Sequence, residues 1–208
     1  MKKGTSVDAR VRKASPDEIE SVAAVMDLGF VTDPTARYFL PRAEQYFHGH
    51  RQYARLCAAP GFDSGTVFAF SMMMGAAIWY PPGIKADYAA LEELVQAVVQ
   101  PEQQKLFSDL IEACVRYRPN GDFASLELIA VDPAHSGNGV GAALLREGLT
   151  LFDQKGVPVY LESSNPRNLS FYRRAGFDLL AEVRVGDGPA RYPMLRPAGG
   201  RTVTGNGL

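Results

Sequence analysis

Three glycines at alternate positions, Gly137, Gly139 and Gly141, stand between a β-rich run and a helical pattern, and no other feature constrains the chain as much. Ser125 to Val131 reads as a strand. From Gly139 to Gln154, Val140, Leu144, Leu145, Leu149 and Phe152 fall on one helical face. A strand that passes through a glycine loop into a helix leaves backbone N–H groups unpaired at the helix start, where the helix dipole also favours an anion. Glycine suits the loop because a Cβ would hold a ligand away from the main chain. The loop is therefore expected to cradle a phosphate or pyrophosphate, against the plainer reading of a turn without a ligand.

The same residues imitate a dinucleotide-binding fingerprint. Gly137, Gly139 and Ala142 satisfy G-x-G-x-x-G/A, and Glu162 lies about 20 residues further on. Position argues against that reading, because Asp132 to Ser136 separate the strand from the first glycine, where the fingerprint has them nearly adjacent. The strand also lies past mid-chain, behind helices and a hairpin. No Gly-Lys-Ser/Thr follows, so the loop is not a P-loop.

The rest of the chain supports one α+β domain over residues 1–197, with a mixed central sheet flanked by helices and a tail at 198–208 that is expected to be disordered. A short strand is expected over Val7–Lys13. A helix starts at Ser15-Pro16, with Glu18 completing a capping box, and is expected to end at Gly29. A helical region from Thr35 to Ala59 is broken near Pro41. A hairpin spans Gly65 to Tyr80, two helical patterns follow, and the second puts Cys114 on its apolar face. Beyond the glycine loop come a strand at Val157–Leu161, a short helix at Pro166–Arg174 and a closing hairpin of Phe177–Val185 with Ala190–Leu195.

Composition excludes several classes. With 22 Lys+Arg against 23 Asp+Glu the net charge is −1, which argues against a dedicated nucleic-acid binder. No apolar run is long enough for a membrane span and the start lacks an apolar signal core, so a cytoplasmic protein is expected. Cys57 and Cys114 are too few for a disulfide framework, and neither they nor His48, His50 and His135 have metal-ligand spacing, so no metal is expected.

Val131-x-Pro133-x-x-Ser136-Gly137-x-Gly139-x-Gly141 resembles the acetyl-CoA signature of the GNAT N-acetyltransferases. Leu161 to Phe177, with Asn165, Pro166, Asn168, Phe171 and Tyr172, resembles the second signature of that family, and the core of the resemblance covers about 123–180. Among family members the puromycin N-acetyltransferase-like ones are the most similar. The resemblance implies acetyl-CoA as cosubstrate, held by the backbone of Ile129, Ala130 and Val131, by the loop Ser136, Gly137, Asn138, Gly139, Val140, Gly141 and Ala142, and by Asn165, Asn168 and Phe171. Ser136 departs from the Arg or Gln usual there. Tyr172 matches the tyrosine that protonates the departing thiolate, although packing is its alternative role. Glu162 is the candidate base, or else a partner of the neighbouring loop. Phe30, Asp33, Arg37, Tyr80 and Arg191 are the expected acceptor-site residues.

The expected activity is transfer of an acetyl group to the primary amine of a small molecule within a ternary complex. The competing readings are a non-catalytic acyl-CoA-binding domain and an NAD(P)-dependent oxidoreductase. The resemblance also allows a homodimer through the C-terminal strands.

Overall fold

The computed structural model describes residues 10–200. Among them seven strands form one sheet: β1 (Val11–Lys13), β2 (Val67–Phe70), β3 (Gly75–Tyr80), β4 (Ala124–Val131), β5 (Val159–Ser163), β6 (Asp178–Leu179) and β7 (Tyr192–Arg196). Their spatial order is β1-β2-β3-β4-β5-β7-β6. Neighbours are antiparallel except β4 and β5, which are joined by the long helix that a parallel crossover needs. The helices are α1 (Ile19–Phe30), α2 (Pro34–Phe39), α3 (Ala43–Asp63), α4 (Tyr88–Val98), α5 (Pro101–Val115), the crossover α6 (Val140–Gln154) and α7 (Leu169–Arg174). The expected α+β class is the observed one. No helix of the described residues is long and apolar enough to cross a membrane.

Each face of the sheet has its own core. Val22, Ala23 and Met26 of α1 and Ala54, Cys57 and Ala58 of α3 pack on Ala76, Ile78, Leu128 and Ala130. Leu144, Leu145 and Phe152 of α6, with Tyr172 of α7, pack on Ala77, Trp79, Leu126 and Leu161. Two glycines set how closely the helices approach. A Cβ at Gly148 would lie 2.1–2.6 Å from three atoms of the Trp79 indole, so α6 rests directly on that ring. Gly29 does not end α1, which continues to Phe30. A Cβ there would come within 2.6 Å of the Ala130 Cβ, so its role is to let α1 cross β4 closely.

Three element boundaries differ from expectation. α3 runs through Pro60 to Asp63, because Gly61 seats the last turn against Val67 and Ile78 while Ser64 and Thr66 bond back to the carbonyls of Pro60 and Gly61. β5 is Val159–Ser163, two residues later than its apolar stretch suggests, since pairing with β7 continues to Ser163 opposite Tyr192. The closing hairpin keeps two strand residues in β6 and a bridge from Val183 to Arg191. Pro193 accepts from Leu180 N at 2.9 Å but has no N–H to return, which breaks the ladder there. Val7 to Ala9 of the expected first strand, and 201–208 of the expected tail, lie outside the described residues.

Candidate active site

The site begins where β4 leaves β5. The two strands pair at Ala124–Val159, Ser125–Tyr160 and Leu126–Leu161, and the ladder stops there. On the other edge of β4, Ile78 pairs with Leu128 while Trp79 pairs with Leu126, so Glu127 is the extra residue of a bulge. A bulge bends its strand. Beyond it, Ile129, Ala130 and Val131 remain paired with β3 but have no strand neighbour on the β5 side, as an extended ligand arm pairing with them requires.

The glycine loop closes one end of this opening. The Asp132 carboxylate accepts from Ala134 N at 2.9 Å and starts a single 3-10 turn, Pro133–His135. Residues Ser136 to Gly139 then lie exposed. Gly137 and Gly139 have φ of 80° and 79°, and a Cβ on either would meet nothing within 4 Å. Both glycines therefore serve backbone conformation and leave the space above the loop clear. Gly139 is the N-cap of α6 and no side chain caps the helix, so the first amides face outward. Gly141 instead makes a close packing position, 3.4 Å from Val131 and 3.8 Å from Phe171 for a built Cβ. Val140 is buried, so its side chain belongs to the core and its N–H alone is available to a ligand. A groove of about 340 Å³ starts at Ala142 and Phe171 and runs between α6 and α7 past Arg146 and Arg174.

At the other end, Asn165 accepts from Arg167 N at 3.1 Å and thereby caps the 3-10 turn Pro166–Asn168 that leads into α7. Asn168 is exposed at the end of that turn. Tyr172 is buried against Phe171 and Phe177. Burial raises its phenol above the ordinary value, and nearby Asp33 adds to the effect, so the group stays protonated at neutral pH. Asp33 caps α2 by accepting from Thr35 N and Ala36 N at 3.0 and 2.9 Å, and it also accepts from the Ser164 hydroxyl at 2.5 Å. It thus ties the α1–α2 connection to the end of β5 beside Tyr172.

The face of the opening toward α3 and α5 is lined by charge. Glu162 accepts from the Tyr160 hydroxyl at 3.1 Å and lies 3.8 Å from Arg118 and 3.7 Å from Arg191. Glu127 accepts from the Ser125 hydroxyl. Burial pushes the Glu127 carboxyl above the ordinary range. The Ser125 hydroxyl pulls it down and Glu162 pushes it further up. Glu127 is a candidate that the sequence reading does not name. Its signal was a carboxylate between Leu126 and Leu128 in a strand whose other side chains are apolar or small.

Other expected residues have different duties. Tyr80 donates to Cys57 O at 2.8 Å and sits in the core. Arg37 donates to Pro41 O at 2.6 Å and stacks over Tyr46, so both its charge and its plane are engaged away from the opening. Phe30 packs on the His50 ring. Cys57 and Cys114 are buried free thiols, and burial followed by the nearby Glu162 pushes Cys114 up to about 12. Among the described residues no group of three or more His, Cys, Asp or Glu is placed to hold a metal ion.

Residues 86–177, from just before α4 through α7, match the Acetyltransferase (GNAT) family. A structure described as histone acetyltransferase HPA2 and related acetyltransferase, from Corynebacterium glutamicum, matches with a TM-score of 0.68 at 21% identity, over 94% of this chain and 99% of that one. This chain has the GNAT fold. The matched segment takes in β4, the glycine loop, α6, β5 and α7 described above. PaiA N-acetyltransferase from Thermoplasma acidophilum, solved in complex with coenzyme A, matches with a TM-score of 0.54 at 14% identity, over 91% of this chain and 99% of that one. Mycothiol acetyltransferase from Propionibacterium freudenreichii subsp. shermanii is 38% identical over 77 residues, which are 36% of this chain and 23% of that one. The chain therefore spans less than a quarter of the length of that relative.

Proposed function

We propose that this chain is an acetyl-CoA-dependent N-acetyltransferase that acetylates the primary amine of a small molecule by direct attack in a ternary complex. The observation that carries the reading is an unpaired β4 edge followed by an uncapped helix N-terminus, with a buried phenol on α7 and a half-buried carboxyl on β4. The residues fit the cosubstrate. Outward amides from Gly137 to Ala142 would hold the pyrophosphate, and Ile129, Ala130 and Val131 would pair with the pantetheine arm. Asn165, Asn168 and Phe171 line its other side. When bound, acetyl-CoA supplies the acetyl group as a thioester.

The amine must lose a proton to attack, and an alkyl ammonium at neutral pH is almost wholly protonated. We assign that proton to Glu127 rather than Glu162. The oxygens of Glu162 already face the Tyr160 hydroxyl and two guanidiniums, whereas Glu127 has one hydroxyl donor and a carboxyl raised toward the working pH. As the N–C bond forms and the C–S bond breaks, the Tyr172 hydroxyl delivers a proton to the leaving sulfur and regains one, the second proton that the acetylated nitrogen sheds. Similarity to puromycin N-acetyltransferase-like members makes an aminonucleoside one acceptor to try.

The test is acetyl-CoA-dependent CoA release with a panel of amines that includes puromycin, run beside Tyr172→Phe. Acceptor-dependent release that falls about 100-fold in the variant, with acetyl-CoA binding unchanged, is the expected result. Tight acetyl-CoA binding without release for any amine would instead indicate a non-catalytic acyl-CoA-binding domain.

A further inference from the structure

The acceptor side of the opening contains a guanidinium whose Nε the protein leaves without a hydrogen bond. The Arg191 side chain is 16% exposed, and its nearest carboxylate, Glu162, stays 3.7 Å away, beyond hydrogen-bonding range. Its Nε is buried with no partner. Burying a charge with its donors unfilled is costly, and natural cores fill such donors or reserve them for a ligand. The position is also well fixed. Arg191 N donates to Val183 O and Val183 N to Arg191 O, both at 2.8 Å, so the side chain projects from a closed bridge.

A second guanidinium faces the same place. Arg118 lies 3.8 Å from Glu162 and donates from Nη1 to the Tyr88 hydroxyl at 3.2 Å, with about a third of its side chain exposed. Burial works most strongly against the charge on Arg191, but Glu162, Tyr53, Cys114 and Asp33 together more than restore it. Glu127, across the opening, is close enough to feel both arginines and Glu162. Two guanidiniums, Arg118 and Arg191, thus stand with Glu162 beside a separate proton acceptor, Glu127.

We propose that Arg191, assisted by Arg118, holds a carboxylate on the acceptor while Glu127 faces its amine, so that the acceptor class is amino acids or compounds with an amino-acid head. This rests on the transferase reading and narrows it. A guanidinium fork suits a planar carboxylate. A plain amine would leave the Arg191 Nε as it is now, buried without a partner.

The test uses the full chain with matched triplets: amino acids with varied side chains, their carboxamides, and the corresponding decarboxylated amines. Each is measured by CoA release with acetyl-CoA and by calorimetry on the CoA-loaded protein. The acids should exceed their amides and amines by about 30-fold or more in kcat/KM. Arg191→Gln should remove that preference through KM, Arg191→Lys should restore part of it, and Arg118→Gln should weaken it if Arg191→Gln fails to fold. Equal use of acids and amides overturns the carboxylate anchor and leaves the transferase standing. Selective binding of acids, lost in Arg191→Gln but without release, supports the anchor and overturns the transferase. Failure of every acid both to bind and to react overturns the anchor, as does an Arg191→Gln variant that keeps the parent preference.

Discussion

The proposed cosubstrate side and the proposed acceptor side are built in opposite ways. The first is contiguous, running from the β4 edge through the glycine loop to the start of α6, and it works mainly through backbone N–H and C=O groups. The second is assembled from Arg118 after α5, Glu127 on β4, Glu162 on β5 and Arg191 before β7, and it would work through side chains. A site made of backbone depends on conformation and tolerates exchange of side chains. A site made of side chains tolerates small backbone changes but not exchange of its residues. The bond from Ser164 to Asp33, across 131 positions of sequence, is where the two sides are tied together.

The largest effect should come from spoiling the scaffold that both sides share. In Gly148→Ala the new methyl group would overlap the Trp79 indole, which is fully buried and cannot retreat. Overpacking of this severity is expected to cost about 3–5 kcal/mol and to lower the melting temperature by roughly 10 °C. A variant that melts within about 2 °C of the parent would show that α6 is free to shift on the sheet, and the contrast between a rigid cradle and an assembled chamber would then fail.

Exchanging carboxylates within the acceptor chamber comes next. Glu127→Gln should lower kcat/KM by about 100-fold, whereas Glu162→Gln should mainly lower the acceptor KM, because it frees the two guanidiniums it now faces for the acceptor carboxylate. The pH profile separates the roles. Proton acceptance needs ionised Glu127, so activity should fall as pH drops through a value above the usual carboxylate range, and Glu127→Gln should lose that limb. The stability sign is the reverse. A carboxyl raised on folding contributes stability that is complete at low pH and lost as pH rises through the raised value, so Glu127→Gln should be the more stable protein at neutral pH. If Glu162→Gln loses the acidic limb while Glu127→Gln keeps it, the two carboxylates exchange roles.

The same division explains what could be read from the chain. Gly137, Gly139, Asn165 and Tyr172 lie in short segments whose local structure follows from their own residues, and the strand, loop, helix and second strand come out nearly where the pattern puts them. The acceptor chamber depends on which distant side chains the sheet order brings together, and no spacing encodes that. Arg191 was legible only through resemblance, and Glu127 was hidden by a bulge that apolar periodicity does not reveal. Tyr80 and Arg37 have the chemistry expected of an acceptor site, but Cys57 O, Pro41 O and the Tyr46 ring use them for structure. Boundary errors had local causes as well: Gly29 supports a close helix–strand contact, and the missing N–H of Pro193 cuts the last ladder short.

The smallest effect sharpens the comparison from the cosubstrate side. Gly139 has a φ of 79° with open space where its Cβ would be, so Gly139→Ala meets no clash and suffers from conformation alone. Holding alanine in that left-handed region costs about 1–2 kcal/mol. If the loop keeps its shape, the cost appears as lost stability. If it relaxes, the amides turn away and acetyl-CoA binds about 5–30-fold more weakly. Ser136→Ala in the same loop removes a hydroxyl but no backbone donor, and its affinity should stay within about threefold of the parent. Calorimetry with acetyl-CoA on both variants, beside their melting curves, reads the two quantities separately. A large loss in Ser136→Ala with none in either quantity for Gly139→Ala would mean that side chains hold the cosubstrate too, and that the two sides of the opening are built alike.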